Sequence, residues 1–123
     1  MTLRLAAALG LVAAAGCTRS ISVTLLPEES LDLTVYSDGR VVETCKVPPG
    51  DGRYKRLDAW LKVHSDGWSV AIADYVPTIL VSGNRFRLNF MQSGAAILGF
   101  DNHQYSHPVQ ASEYAYLTCH GGT

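Results

Sequence analysis

What this sequence lacks is any short motif that announces chemistry. It has no Gly-x-Ser-x-Gly elbow, no His-Glu-x-x-His pair and no glycine-rich phosphate loop. Hydrolytic nucleophiles, zinc proteases and phosphate-cradling loops therefore lose their usual signatures. No Cys-x-x-Cys is present, which removes the commonest redox and zinc-ribbon patterns. Charged residues make up only 17% of the chain and the formal net charge is −1, so there is no basic surplus for nucleic acid. Nor is there an acidic or low-complexity stretch of the kind that stays disordered. After the first sixteen residues no apolar run is long enough to span a bilayer. Nothing calls for a cofactor, and there is no internal repeat.

What is present begins with the N-terminus, MTLRLAAALGLVAAAGC. Arg4 supplies a positive charge, and Leu5 to Ala15 is an uninterrupted apolar stretch of eleven residues. That is too short to cross a membrane and suits a secretory signal. The run Ala14-Ala15-Gly16-Cys17 resembles the lipobox of bacterial lipoproteins, with Ala14 where a leucine is usual. The resemblance implies cleavage before Cys17 and a lipid on that cysteine, hence attachment to a membrane. Lipoproteins kept in the inner membrane typically carry Asp after the cysteine; Thr18 stands there, which implies the outer membrane, facing the periplasm. Two other readings stand beside this one: ordinary cleavage after Ala13-Ala14-Ala15 giving a secreted protein, or a buried helix. Against the last, the segment has no polar stripe. The expected organisation is a signal peptide over 1–16, a lipidated cysteine and short tether over 17–20, and one globular domain over 21–123. Removing residues 1–16 leaves 107, enough for one small core.

The chain has three cysteines, Cys17, Cys45 and Cys119. An odd count in an exported protein needs an explanation. Lipidation of Cys17 provides one, and leaves Cys45 and Cys119 to form a disulfide in an oxidising compartment. Closing a loop of that size is worth about 4 kcal/mol in the chain-entropy model. The competing arrangement is two thiols with histidines around a metal.

Periodicity predicts an α+β domain: a small, mostly antiparallel sheet of about six or seven strands with one short helix packed on it. Ser22 to Leu26 reads as a strand, and Glu28-Glu29 after it as solvated surface. Leu31 to Tyr36 alternates with period two, Asp38-Gly39 is a type I′ hairpin signal, and Arg40 to Lys46 returns. Tyr54, Leu57, Leu61 and His64, with Trp60 beside them, predict a helix over about 53–64, capped by Asp51 or Gly52 and stopped at Asp66-Gly67. Trp68 to Val76 resumes as a strand, interrupted at Pro77. Thr78 to Ser82, a Gly83-Asn84 turn, Arg85 to Met91, a turn at 92–94 and Ala95 to Phe100 predict a meander. Asp101 to Gln110 reads as a polar loop and Ser112 to Cys119 as a final strand.

The metal candidates are His103 and His107, with His120 near the end. Two imidazoles four apart suit a metal on a helical turn, but Pro108 and the polar surroundings argue for a loop, where that spacing fixes nothing. His64 in the last helical turn favours the helix dipole. Six tyrosines are more than a core of this size needs, and tyrosine and arginine dominate protein–protein hot spots. Arg85 with Arg87, and Tyr114 with Tyr116, are the candidate partner-binding pairs; each tyrosine burying its ring is the alternative.

These features predict a non-enzymatic, envelope-anchored protein-binding module. In size, address and architecture it resembles immunity proteins against secreted toxins and inhibitors of lysozymes. The Ser-Gly-x-x-Tyr loop of the latter is not reproduced by Ser93-Gly94-Ala95-Ala96-Ile97. A structural accessory lipoprotein of an envelope assembly and a periplasmic metal-binding protein are the alternatives.

Overall fold

The computed structural model describes residues 18–71 and 77–120. In chain order its elements are β1 (Thr18–Arg19), β2 (Leu31–Ser37), β3 (Arg40–Val47), α1 (Gly52–Val63), β4 (Trp68–Val70), β5 (Ile79–Ser82), β6 (Phe86–Met91), β7 (Ala95–Phe100), β8 (His103–Pro108) and a 3-10 turn at Ala111–Glu113. The strands form one antiparallel sheet in the order β1-β4-β8-β7-β6-β5-β2-β3. Among the described residues, one helix, one sheet and a Cys45–Cys119 disulfide make this a small, mostly β, α+β fold. No helix among the described residues is long and apolar enough to cross a membrane.

Local chemistry explains most of the hairpins. Asp38 and Gly39 take φ of 51° and 76°, both positive as a type I′ turn requires, and join β2 to β3 in tight register. That register slips once: Val35 faces Glu43 but Tyr36 faces Val41, so Val42 is the extra residue of a bulge. Gly94, at φ 96°, closes a three-residue loop between β6 and β7, its N–H bonded to the Met91 carbonyl. β5 through β7 then run as the expected meander, and β8 extends it by one strand that was not expected.

The helix begins where expected. The Asp51 side chain accepts the Arg53 backbone N–H at 2.8 Å and caps it. Its buried face is Arg53, Tyr54, Leu57, Trp60 and Leu61. These pack with one face of the sheet, where Leu31, Leu33, Val81, Leu88, Phe90 and Leu98 are almost fully buried. Tyr54 donates its hydroxyl to the Leu26 carbonyl.

Several expectations need correction. Residues 22–26 join no ladder; Val23 and Leu25 enter the core while Ser22, Thr24 and Leu26 stay outside, so the alternation reflects burial alone. Glu29 is not solvated: it is 9% exposed and its carboxylate accepts the Asn84 backbone N–H. That contact fixes the β5–β6 loop at Asn84-Arg85, one residue later than expected, with Gly83 paired to Phe86 through its N–H. Asp101 to Gln110 is mostly not a loop. Asp101 and Asn102 both take positive φ, 55° and 64°, and turn the chain straight into β8. Ser112 to Cys119 is not a strand; it is the 3-10 turn followed by tight turns, Leu117 N–H to the Tyr114 carbonyl and Thr118 N–H to the Tyr116 carbonyl. The disulfide thus ties β3 to a C-terminal tail, its Cα atoms 5.8 Å apart.

Residues 18–20 are no tether. Thr18 pairs with Ser69 and Arg19 with Trp68, and Ser20 bonds to Asp66. The predicted signal segment and Cys17 lie outside the described residues, as do residues 72–76 of the expected strand after Trp68.

Candidate functional site

Strand pairing sets a row of residues on the sheet face away from the helix: Lys46, Asp32, Ser82, Arg87, Gly99 and Gln104, each directly opposite the next. Alternation puts them there, because Leu31, Leu33, Leu88 and Leu98 beside them point into the core. Lys46 and Asp32 neutralise each other at 2.7 Å. Next along the row, Arg87 is exposed and its β7 neighbour is Gly99, which has no side chain. A Cβ there would meet only ordinary contacts, 3.8 and 3.9 Å from Arg87. Gly99 therefore leaves a dent between the Arg87 and Gln104 side chains that packing does not demand. A glycine inside a strand weakens it, and such positions often mark close approach of a ligand or another backbone.

The dent opens into a cleft of about 850 Å3 at the end of the sheet, where the Asn84-Arg85 loop and the Asp101-Asn102 turn stand beside His103. A smaller depression of about 290 Å3 continues it toward Tyr36 and Asn89. Small-molecule pockets are lined mostly by apolar side chains. This lining is arginine, asparagine, aspartate, histidine and glutamine around Phe86 and Phe100. Two guanidiniums and an imidazole face one carboxylate, Asp101. None of the ion pairs among the described residues involves Arg85 or Arg87. The arrangement can accept an acidic, extended segment.

The other candidate pair, Tyr114 and Tyr116, does not lie on this surface. Tyr114 is buried and stacks on Phe90 with ring centroids 4.8 Å apart, closing the core on the helix side. Tyr116 lies under the Arg56 guanidinium, 4.0 Å from the ring centroid, with its hydroxyl buried and without a hydrogen-bond partner. Burial pushes that hydroxyl up to about 12, against the opposing pull of Arg56. The turns that replaced the predicted strand remove the alternation that would have presented both rings together. Tyr54 and Tyr105 are buried as well, so the apparent surplus of tyrosine is largely spent in the core.

The histidines do not converge. His103 lies on the cleft. His107, at the other end of β8, stands edge-on to Trp68 and His64, at 5.1 and 5.2 Å. His120 pairs with Glu43 of β3 at 2.7 Å, five strand steps and so about 24 Å from β8. Among the described residues no three His, Cys, Asp or Glu side chains group as a metal site would.

A second cluster joins α1, β4, β8 and the 3-10 turn. His64 stacks on Trp60 at 4.3 Å; its Nδ1 lies 2.9 Å from the Trp60 carbonyl, which can only accept, so that nitrogen carries the proton. Its Nε2 is 3.2 Å from Glu113. The Glu113 carboxylate also accepts from Gln110 N–H at 2.8 Å and Trp60 Nε1 at 3.1 Å. The Gln110 N–H is the main cause holding Glu113 below its usual value, with Trp60 and the nearby imidazoles adding to it. Glu113 thus holds Gln110, Trp60 and His64 together, as in a structural clasp.

Arg85 and Arg87 are candidates in the sequence, whereas Gly99 and Gln104, which line the same cleft, are not. The available signal was a glycine within an apolar strand. Asp51 is more than the helix cap that the sequence suggests: it forms a buried ion pair with Arg53 at 2.8 Å. No family model matches the chain, and no curated protein or solved structure matches it either.

Proposed function

We propose that this chain is an exported, outer-membrane lipoprotein, lipidated on Cys17 and facing the periplasm, whose domain is a non-enzymatic protein-binding module. The docking region is the Arg85–Arg87–Gly99 cleft, and its partner presents an acidic extended segment. The observation that carries the docking reading is the pairing of exposed Arg87 with Gly99 across β6 and β7, without a carboxylate partner among the described residues. Arginine is enriched among hot-spot residues, and a dent beside it lets partner backbone approach. Export and lipidation rest on the apolar stretch and Ala15-Gly16-Cys17 of the leader. A secreted toxin or lysozyme-like enzyme active in the periplasm is the partner class that fits this address.

The test uses the soluble domain as bait against periplasm and against a competitor's secreted fraction. A retained partner should bind about 2 kcal/mol more weakly to Arg87→Ala, with unchanged melting temperature. A partner indifferent to Arg87→Ala and to Gly99→Phe refutes the assigned surface. A bait that retains nothing from both sources leaves the structural-accessory role ahead. Intact mass of the membrane fraction checks the lipid: a diacylglyceryl or triacylated chain starting at Cys17 is expected, and an unmodified soluble chain contradicts it.

A further inference from the structure

We infer that the edge of the sheet formed by β1 and β4, with the C-terminal end of α1, rests directly on the bilayer and fixes the orientation of the domain. The inference rests on lipidation of Cys17. Thr18 follows that cysteine by one covalent step, about 3.8 Å between Cα atoms, and it is already paired with Ser69 in the sheet. Arg19 pairs with Trp68, Ser20 bonds to Asp66, and the Ile21 N–H donates to the Ser65 carbonyl at 2.7 Å. No slack chain separates the acylated residue from the fold. A flexible linker would let the domain tumble above the membrane; this attachment does not.

The surface at that corner suits the interface. Val70 follows Ser69, the partner of Thr18, and is 53% exposed. Val63 ends α1, two residues before Ser65, and is 78% exposed, the most exposed of the large apolar side chains among the described residues. Arg19 is an exposed cation on that edge, suited to anionic headgroups, whereas the neighbouring Lys62 is exposed but paired with Asp58 at 2.8 Å. Apolar side chains of an interfacial surface bury about 5–10 Å into the headgroup and acyl boundary. The opposite edge, β3, is seven strand steps away, about 34 Å. Its exposed valines, Val41 and Val42, belong to a bulge remote from the anchor and stay in water.

The experiment uses the full lipidated chain in phosphatidylethanolamine/phosphatidylglycerol vesicles, with a photo-reactive benzophenone side chain placed at position 63, 70 or 42. Lipid adducts should form several-fold more at 63 and 70 than at 42. A ten-residue Gly/Ser insertion between Cys17 and Thr18 should abolish the difference while leaving the melting temperature unchanged. Intact mass on the same preparations separates the two claims. An unlipidated chain takes down the anchor and this inference together. A lipidated chain that cross-links equally at all three positions, or that is unaffected by the insertion, overturns the docking of this edge alone.

Discussion

The Arg53 guanidinium grips both carboxylate oxygens of Asp51, through Nε at 2.9 Å and Nη2 at 2.8 Å. Both side chains are buried, and the remaining nitrogen, Nη1, donates to the Thr118 carbonyl at 2.6 Å, beside the disulfide. One side chain thus joins the helix start to the C-terminal tail. A planar fork with further donors to spare can do this; a lysine cannot.

Removing Arg53 leaves Asp51 buried and unpaired. Arg53→Met should lower unfolding free energy by about 3 kcal/mol, measured by urea titration of Trp60 and Trp68 fluorescence. Asp51→Asn combined with Arg53→Met should lose less than the two single changes added together, since neither charge is then stranded.

Acid should act through the same pair. The Arg53 hydrogen bond holds Asp51 below its usual 3.8, and the Gln110 N–H holds Glu113 below its usual 4.5. Carboxylates depressed in the folded state contribute stability that is complete above their unfolded values and lost as the pH falls through the folded ones. The urea midpoint should therefore be flat above about pH 5 and fall steeply below pH 4. Arg53→Met should flatten that fall, and an unchanged slope would show that Asp51 is not its source.

The disulfide closes the loop between β3 and the tail. Cys45→Ser should cost about 2–5 kcal/mol, and non-reducing peptide mapping should recover the Cys45–Cys119 linked peptide from wild type. Two free thiols in protein isolated from the periplasm would contradict it.

Two glycines should answer substitution oppositely. A Cβ on Gly83 would lie 2.6 Å from both the Glu29 carboxylate and the Phe86 ring, so Gly83→Ala should destabilise by about 1–3 kcal/mol. A Cβ on Gly99 meets only ordinary contacts, and Gly99→Ala should stabilise by about 0.5 kcal/mol through reduced unfolded-chain entropy. Thermal melts of both variants decide it.

Tyr116 buries a hydroxyl that has no partner. Tyr116→Phe removes that burden and should be neutral or stabilising by about 1 kcal/mol. In an ultraviolet titration the variant should lose the tyrosine step at about 12. Arg56→Ala should move that step higher, because the guanidinium favours the phenolate.

The sequence by itself determined whatever short-range chemistry dictates. Period two with Asp38-Gly39 made the first hairpin, since only residues tolerant of positive φ permit the I′ turn. Asp51 ahead of an apolar face spaced at three and four made the helix. An odd cysteine count left Cys45 and Cys119 to pair. The leader pattern is equally local and stands as an expectation. Tertiary structure decided the rest. His103 to Pro108 has little strand propensity and became β8 because Asp101 and Asn102 turn it against β7, where its backbone groups find partners. The residues before Cys119 alternate like a strand, yet no strand edge receives them, and Phe90 and Arg56 draw Tyr114 and Tyr116 to the helix side. Arg87 and Gly99 meet only through register, as do Arg53 and Thr118 only through folding. Propensity and pattern act over a few neighbours, whereas a cleft and a clasp are made by residues that only the closed sheet brings together.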